Sequence, residues 1–600
     1  MTASPPVPLP LHHGAIGNGR VLALVGPDTH IDWLCLPRFD SPSVFARLLD
    51  QERGGTWSFK PVEDWHAVAS YVRNTNVLRT EIDTRDGRFE LYDFAPRIPH
   101  GLRVDAPIEI CRLIRPIAGT PRISVEFDPR PDYARANIEI VPSRHGLEVV
   151  GGPTRLYMSS NVPSPYILDG SAIRIDRPTY FSLSAGKPPD ISSTPEADAA
   201  LEQTIRGWRA WAKTTHLPSF AQESVLRSAL CLKLHAFSDT GAIIAAATTS
   251  LPESLGSGRT WDYRFCWLRD AAFVVEALRR LSHLSEGEAF VRFLRDMADT
   301  GPLQPMYGIT GKRDLHEETV PTLRGYDGIG PVRIGNAAYV QQQNDVNGEV
   351  VLCLETMLTD PRVVWEDASL APLLERLVEE AMEFYDKEDT GLWEYRTQPR
   401  HYTFSKAMCW AAANRGAELA DFLGMPEHAR RWRHWADEQK PIIIERSYSE
   451  ELGYFTQAFD GDFPDASNLL LPAIGLIDPL DRRFKSTVRA YERELAPQGL
   501  MLRYKHLDDF GHTTSAFSIC SFWWVEALAM MGEVDEAVAL FRRLEDYANP
   551  LGLFSEDIDP ETGALLGNFP QAYTHVGLIH AAITIGEILD ARHGSFRAWS

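Results

Sequence analysis

From about residue 219 onward the sequence carries about twelve segments whose apolar residues recur at i, i+3 and i+4, as in Phe273, Val274, Ala277, Leu278 and Leu281. They lie near 219–236, 267–282, 285–299, 344–358, 370–387, 403–422, 426–446, 467–476, 481–494, 516–531, 534–547 and 571–590. Each such helix has one apolar stripe to bury, and a long run of helical pairs has few ways to bury all of them. Pairing with long loops after alternate members suggests a ring of six hairpins, an (α/α)6 barrel.

The preceding residues follow another period. From about Gly14 to Gly186, short β-rich runs such as Gly19–Val25, Ile108–Ile114, Ile138–Val141 and Tyr180–Ser184 are broken by Gly, Pro, Asn and Asp. Closely spaced turns between alternating runs predict an antiparallel β-sandwich. Pro188, Pro189 and Pro195 then lead into a helical stretch, 197–213, suited to a linker. With 600 residues and 44% hydrophobic content, more than one core is expected. The expected division is an N-terminal antiparallel β-sandwich domain over 1–190, a helical linker over 191–218 and a catalytic (α/α)6-barrel domain over 219–600.

A formal charge of −22 argues against a nucleic-acid partner, which would call for a basic surface. The seven cysteines are odd in number, scattered and set in apolar runs such as Met408-Cys409-Trp410, so they read as reduced core residues. Thr2 to His13 is proline-rich, without the basic start or apolar core of a signal peptide, and no apolar run approaches about 18 residues. The expectation is a cytoplasmic enzyme with no membrane partner; a homo-oligomer is left open. Gly14 to Gly19 has no strand before it and no helix after it, so its glycines serve turns, not a phosphate. His316-Glu317-Glu318 lacks a second histidine at zinc-peptidase spacing, and neither Gly-x-Ser-x-Gly nor Cys-x-x-Cys occurs. No metal and no cofactor are expected.

The chemistry-bearing residues cluster in and beside the longest loops, about 237–266, 300–343 and 548–570, which exceed ordinary connections. Gly258 to Ala271 concentrates four aromatics, three arginines and two aspartates. That mixture suits a sugar pocket, because aromatic faces pack on C–H surfaces while fixed charged groups hydrogen-bond hydroxyls. In Gly391-Leu392-Trp393-Glu394-Tyr395-Arg396, Glu394 is either a partly desolvated acid beside Trp393 or an exposed partner of Arg396 or Arg400. Glu556, in Phe554-Ser555-Glu556-Asp557, lies in what is ordinarily a solvated acidic turn. The helix after Asn568 would bring it to the same barrel mouth as Arg269 and Asp270. Two carboxylates on opposed loops are what glycoside hydrolysis needs. Arg333 and Asn336, in the glycine-rich stretch from Gly325, offer hydroxyl contacts or loop bracing.

Taken together, the motifs resemble glycoside hydrolase family 15, the glucoamylase and trehalase family, in its bacterial members. The resemblance runs through Gly17-Asn18-Gly19, Ile31 to Pro42, Thr260 to Asp270, Gly330 to Asn336, Leu392 to Arg396, Phe554 to Glu556 and Gly567 to Ala572. It implies single-displacement hydrolysis with inversion, releasing β-D-glucose from the non-reducing end of α-glucosides. By that resemblance Glu394 is the general acid and Glu556 the general base. Arg269 and Asp270 grip the terminal glucose, Tyr263 lies near the base, and Trp267 and Trp393 are aromatic walls. The chain reads Gly328-Ile329-Gly330-Pro331 where fungal-type members carry a tryptophan, which favours small disaccharides such as trehalose or isomaltose over starch. The competing readings are a phosphorylase, which needs no base, and a non-catalytic sugar binder.

Overall fold

The computed structural model describes residues 10–101, 103–365 and 370–592. Most of the segment read as lacking a signal peptide, up to residue 9, lies outside the described residues.

Two antiparallel sheets face each other in the N-terminal part. One has seven strands: Gly14–Gly17, Leu22–Val25, Ile31–Cys35, Thr56–Pro61, Arg122–Asp128 and Ile173–Arg174 in spatial order, with Ser43–Phe45 paired to Ile31–Cys35. The other has eight, centred on Glu109–Gly119 between Gly87–Phe94 and Thr179–Ala185. Alternate residues such as Leu78, Thr80 and Ile82 turn inward, as the two-residue period of a strand requires. Trp57, Phe59, Leu91, Ile110, Ile114 and Phe181 fill the space between the sheets. Arg112 is wholly buried there and pairs with Asp93 at 2.7 Å.

Helix α1 (Ser164–Leu168) lies within this part, and α2 (Thr194–Lys213), capped by the Ser193 hydroxyl, follows it. Eleven α-helices come after: α3 (Gln222–His235), α4 (Leu268–Arg280), α5 (Leu284–Asp299), α6 (Val346–Leu358), α7 (Leu370–Phe384), α8 (Thr403–Phe422), α9 (Pro426–Ser447), α10 (Arg482–Leu495), α11 (Ser518–Met530), α12 (Val534–Glu545) and α13 (Ala572–Arg592). The segment expected as a helix near 467–476 is instead a 3-10 helix, Ala466–Leu470, followed by turns. Pro472, which lacks a backbone donor, and Gly475, at φ +87°, stop it from continuing.

The inner ring runs α4, α6, α8, the 3-10 helix, α11 and α13, which packs back on α4. The remaining helices lie outside it. Of the inner-ring helices, α11 and α13 are buried on nearly every side because they touch neighbours on both flanks; in α11 every residue from Ser518 to Ala529 is buried. Helix α13 is long and apolar enough, by length and composition, to cross a membrane, contrary to the expectation that no run approaches that length. Its apolar window is 72% buried as the closing member of the inner ring. All seven cysteines are free and buried.

Candidate active site

A cleft of about 870 Å³, counted with the solvent-open space at its mouth, lies where loops run into the N-termini of α4, α11 and α13. The stretch from Thr260 to Trp267 forms its spine. Asp262 bridges to Thr249 in antiparallel fashion, so successive side chains point to opposite sides. Tyr263 and Trp267 line the cavity and pack edge to face at 5.2 Å. Asp262 and Arg264 point away, paired at 2.6 Å, and Arg264 reaches Ser41 and Tyr133 of the sandwich.

Each member of the aromatic pair holds one of the two carboxyl groups. The Trp267 indole N–H donates to Glu394 Oε1 at 2.6 Å, and the Tyr263 hydroxyl donates to Glu556 Oε1 at 2.7 Å. Glu394 sits at φ +60° just after Gly391 at φ +67°. That left-handed turn is costly for a residue with a Cβ and is stored at the site it serves. Its Oε1 also accepts from Gln343, and Arg269 lies 3.5 Å away.

Arg269 and Asp270 occupy the buried first turn of α4. One Arg269 Nη is held by Gln343 at 3.0 Å and lies 3.4 Å from Asp345. Arg269 Nε and Asp270 Oδ2 face each other as an ion pair at 3.5 Å, and both side chains line the cavity, where they can meet a ligand's hydroxyls. Burial pushes Asp270 up to about 6, with Arg269 opposing and Glu394 adding. Trp393 lines the cavity and donates its indole N–H to Asp465 at 2.9 Å.

Glu556 is wholly buried, and the cavity wall is formed by Tyr263 in front of it. Its Oε2 accepts the Asn568 backbone N–H at 3.0 Å. Burial holds its carboxyl well above the ordinary range, the Glu253 and Asp557 carboxyls push the same way, and Arg503 and the Tyr263 hydrogen bond oppose. Burial also raises Asp557, to about 7. The carboxyl oxygens of Glu253, Glu556 and Asp557 converge within 4.8 Å of one another, close enough to hold a cation. The Arg503 guanidinium already pairs with Glu253 and lies 3.8 Å from Asp557, so positive charge comes from the chain itself.

Two expectations change in detail. Arg333 is not on the cavity wall: its guanidinium donates to the Gly258 and Thr260 carbonyls at 2.9 and 2.8 Å and lies over Trp261. It braces the loop, because those carbonyls hold one guanidinium nitrogen toward the protein. Asn336 does line the cavity, while its side-chain oxygen caps the following 3-10 turn through the Ala338 N–H at 2.9 Å. The sequence reading missed Glu253 and Arg503, and it singled out the stretch from Gln341 to Asp345 without giving Gln343 or Asp345 a role. Of the two missed residues, Glu253 lies in a loop already conspicuous for its length.

A carboxyl on each side of an aromatic pair, above a buried arginine and aspartate at a barrel mouth, is the equipment of glycosidic bond cleavage, and the protein is a glycoside hydrolase. The model of glycosyl hydrolases family 15 matches residues 219–583, and that of the trehalase-like N-terminal region matches 6–164. The chain belongs to glycosyl hydrolases family 15. It is 35% identical to a trehalase of Mycobacterium tuberculosis over 97% of this chain and 90% of that protein. It is 32% identical to a trehalase of Thermoplasma volcanium, over 97% and 94%. Among solved structures, a bacterial glucoamylase complexed with acarbose superposes with a TM-score of 0.67 over 98% of both chains at 13% identity, a likeness of fold.

Proposed function

We propose that this hydrolase is exo-acting and inverting, and that its substrate is trehalose or a similarly small α-glucoside. The carrying observation is the Tyr263–Trp267 pair, which holds Glu556 on one side and Glu394 on the other. The trehalase relatives, similar over nearly the whole chain, support the choice of sugar. Arg269 and Asp270, an ion pair on the cavity wall, grip the terminal glucose. Glu394, half-buried on the cavity wall, protonates the glycosidic oxygen as the C–O bond breaks. Glu556 acts through the Tyr263 hydroxyl on the cavity wall, which passes its own proton to Glu556 Oε1 as it takes one from the water that attacks the anomeric carbon from the other face. The two carboxyls act as general acid and general base, with no cofactor.

Proton NMR of fresh digests without phosphate tests this directly. With trehalose, inversion gives β-glucose from the attacked ring and α-glucose from the leaving ring in equal initial amounts. Only α-glucose would overturn inversion, and turnover that requires phosphate would make the enzyme a phosphorylase. Glu394→Gln and Glu556→Gln are each expected to lower kcat by a factor of about 10² or more. Near-normal activity in either would remove that residue from its role.

A further inference from the structure

Past half-buried Glu394 and buried Tyr395 the loop reaches the surface at exposed Arg396, which lines the cavity, and Thr397, whereas Trp267, Arg269 and Asp270 are buried at the base. The way out of the cavity past the acid therefore runs by Arg396. At that point a segment from the far side of the ring, Tyr504–His512, is fastened to both neighbouring loops. Arg259 pairs with Asp508 Oδ1 at 2.5 Å, with both side chains buried, and donates to the Gly511 carbonyl at 3.2 Å. The Tyr504 hydroxyl donates to the other Asp508 oxygen. Asp509 accepts the Arg396 backbone N–H at 2.6 Å and the Thr397 hydroxyl. Phe510 packs edge to face on Trp261 at 5.0 Å, and the Arg396 guanidinium lies 4.8 Å over Trp261 and 5.4 Å from Phe510.

We propose that Tyr504–His512 is a strap across the leaving side of the cavity that leaves room for one departing sugar unit, so that disaccharides are selected over longer α-glucosides. This rests on the hydrolase reading above and adds a length limit to it. An enzyme that trims polymers needs an open path for the rest of the chain. Here that path meets an aromatic and ionic seam joining three loops, with a buried ion pair beneath it. Opening the seam would break the Asp509 hydrogen bonds and separate the Phe510–Trp261 contact.

The test compares trehalose with the trisaccharide that carries one further glucose at O4 of one ring, so that maltose is the leaving group. α-D-Glucosyl fluoride, which has no second sugar, reports on the catalytic centre alone. Wild type is expected to favour trehalose by a factor of order 10² in kcat/KM. Phe510→Gly with Asp509→Ala should raise the trisaccharide-to-trehalose ratio about tenfold, with fluoride hydrolysis within about threefold of wild type. Phe510→Ala alone gives a milder variant should the double one fold poorly. Equal wild-type rates on both sugars would overturn the strap, as would an unmoved ratio in variants that still hydrolyse the fluoride. A wild-type enzyme inert to the fluoride and to both sugars would overturn the hydrolase reading itself, and the strap with it.

Discussion

Glu556 is held between influences of opposite sign, and each can be removed separately. The Tyr263 hydrogen bond favours its carboxylate, and the Glu253 carboxyl opposes it. A general base works only when deprotonated, so the acidic limb of the kcat/KM profile follows its titration and activity rises with pH. Tyr263→Phe is expected to move that limb to higher pH. Glu253→Gln is expected to move it to lower pH, and it also frees Arg503, which pushes the same way. Shifts in the same direction from both variants would remove Glu556 from the limb. Glu394 and Glu556 were legible because short motifs surround them. Glu253 and Arg503 were not: their ion pair spans 250 residues, and no local period or spacing marks a long-range pair.

The helices were legible because burial of a stripe imposes a period on sequence, and eleven of the expected segments are α-helices. The exception near 467–476 has apolar residues at suitable spacing, yet Pro472 and Gly475 prevail over the pattern, because Pro472 has no backbone N–H to donate and Gly475 turns left-handed at φ +87°. Less legible was how closely neighbouring helices approach. Gly348 in α6 faces the backbone of α8, and a Cβ placed there would lie 2.2 Å from the Met408 carbonyl oxygen. Gly348→Ala must therefore separate two inner-ring helices. Its expected cost is at least about 1–3 kcal/mol, the ordinary range for overpacking a core. A lowered midpoint in denaturant unfolding would register it. A midpoint within error of wild type would mean that the ring relaxes freely at this crossing.

At the scale of the whole molecule, the alternation of the 262–267 stretch ties the cavity to the sandwich. Tyr263 and Trp267 face the sugar site, while Asp262 and Arg264 face the other domain. Arg264 donates to Asp262, to the Ser41 carbonyl at 2.8 Å and to the Tyr133 hydroxyl at 2.7 Å, all fully buried or nearly so. Trp33 of the sandwich also donates to the Ala247 carbonyl at 2.7 Å, and one apolar core runs through both parts. Removing one member of a buried ion pair leaves the other charge without compensation, a loss of about 3–5 kcal/mol. Arg264→Ala is therefore expected to lower the unfolding free energy by that order and to shift the signals of sheet and helix together, because its partners lie on both sides. It should also reduce kcat, since the same extended segment aims Tyr263 at Glu556. Asp262→Asn combined with Arg264→Leu should recover part of the stability, as no buried charge is left, but not all of it, since the Ser41 carbonyl and the Tyr133 hydroxyl lose their donor. A single Arg264→Ala variant within about 1 kcal/mol of wild type, with sheet and helix unfolding apart, would show that sandwich and barrel hold their structures independently and that the alternation couples nothing.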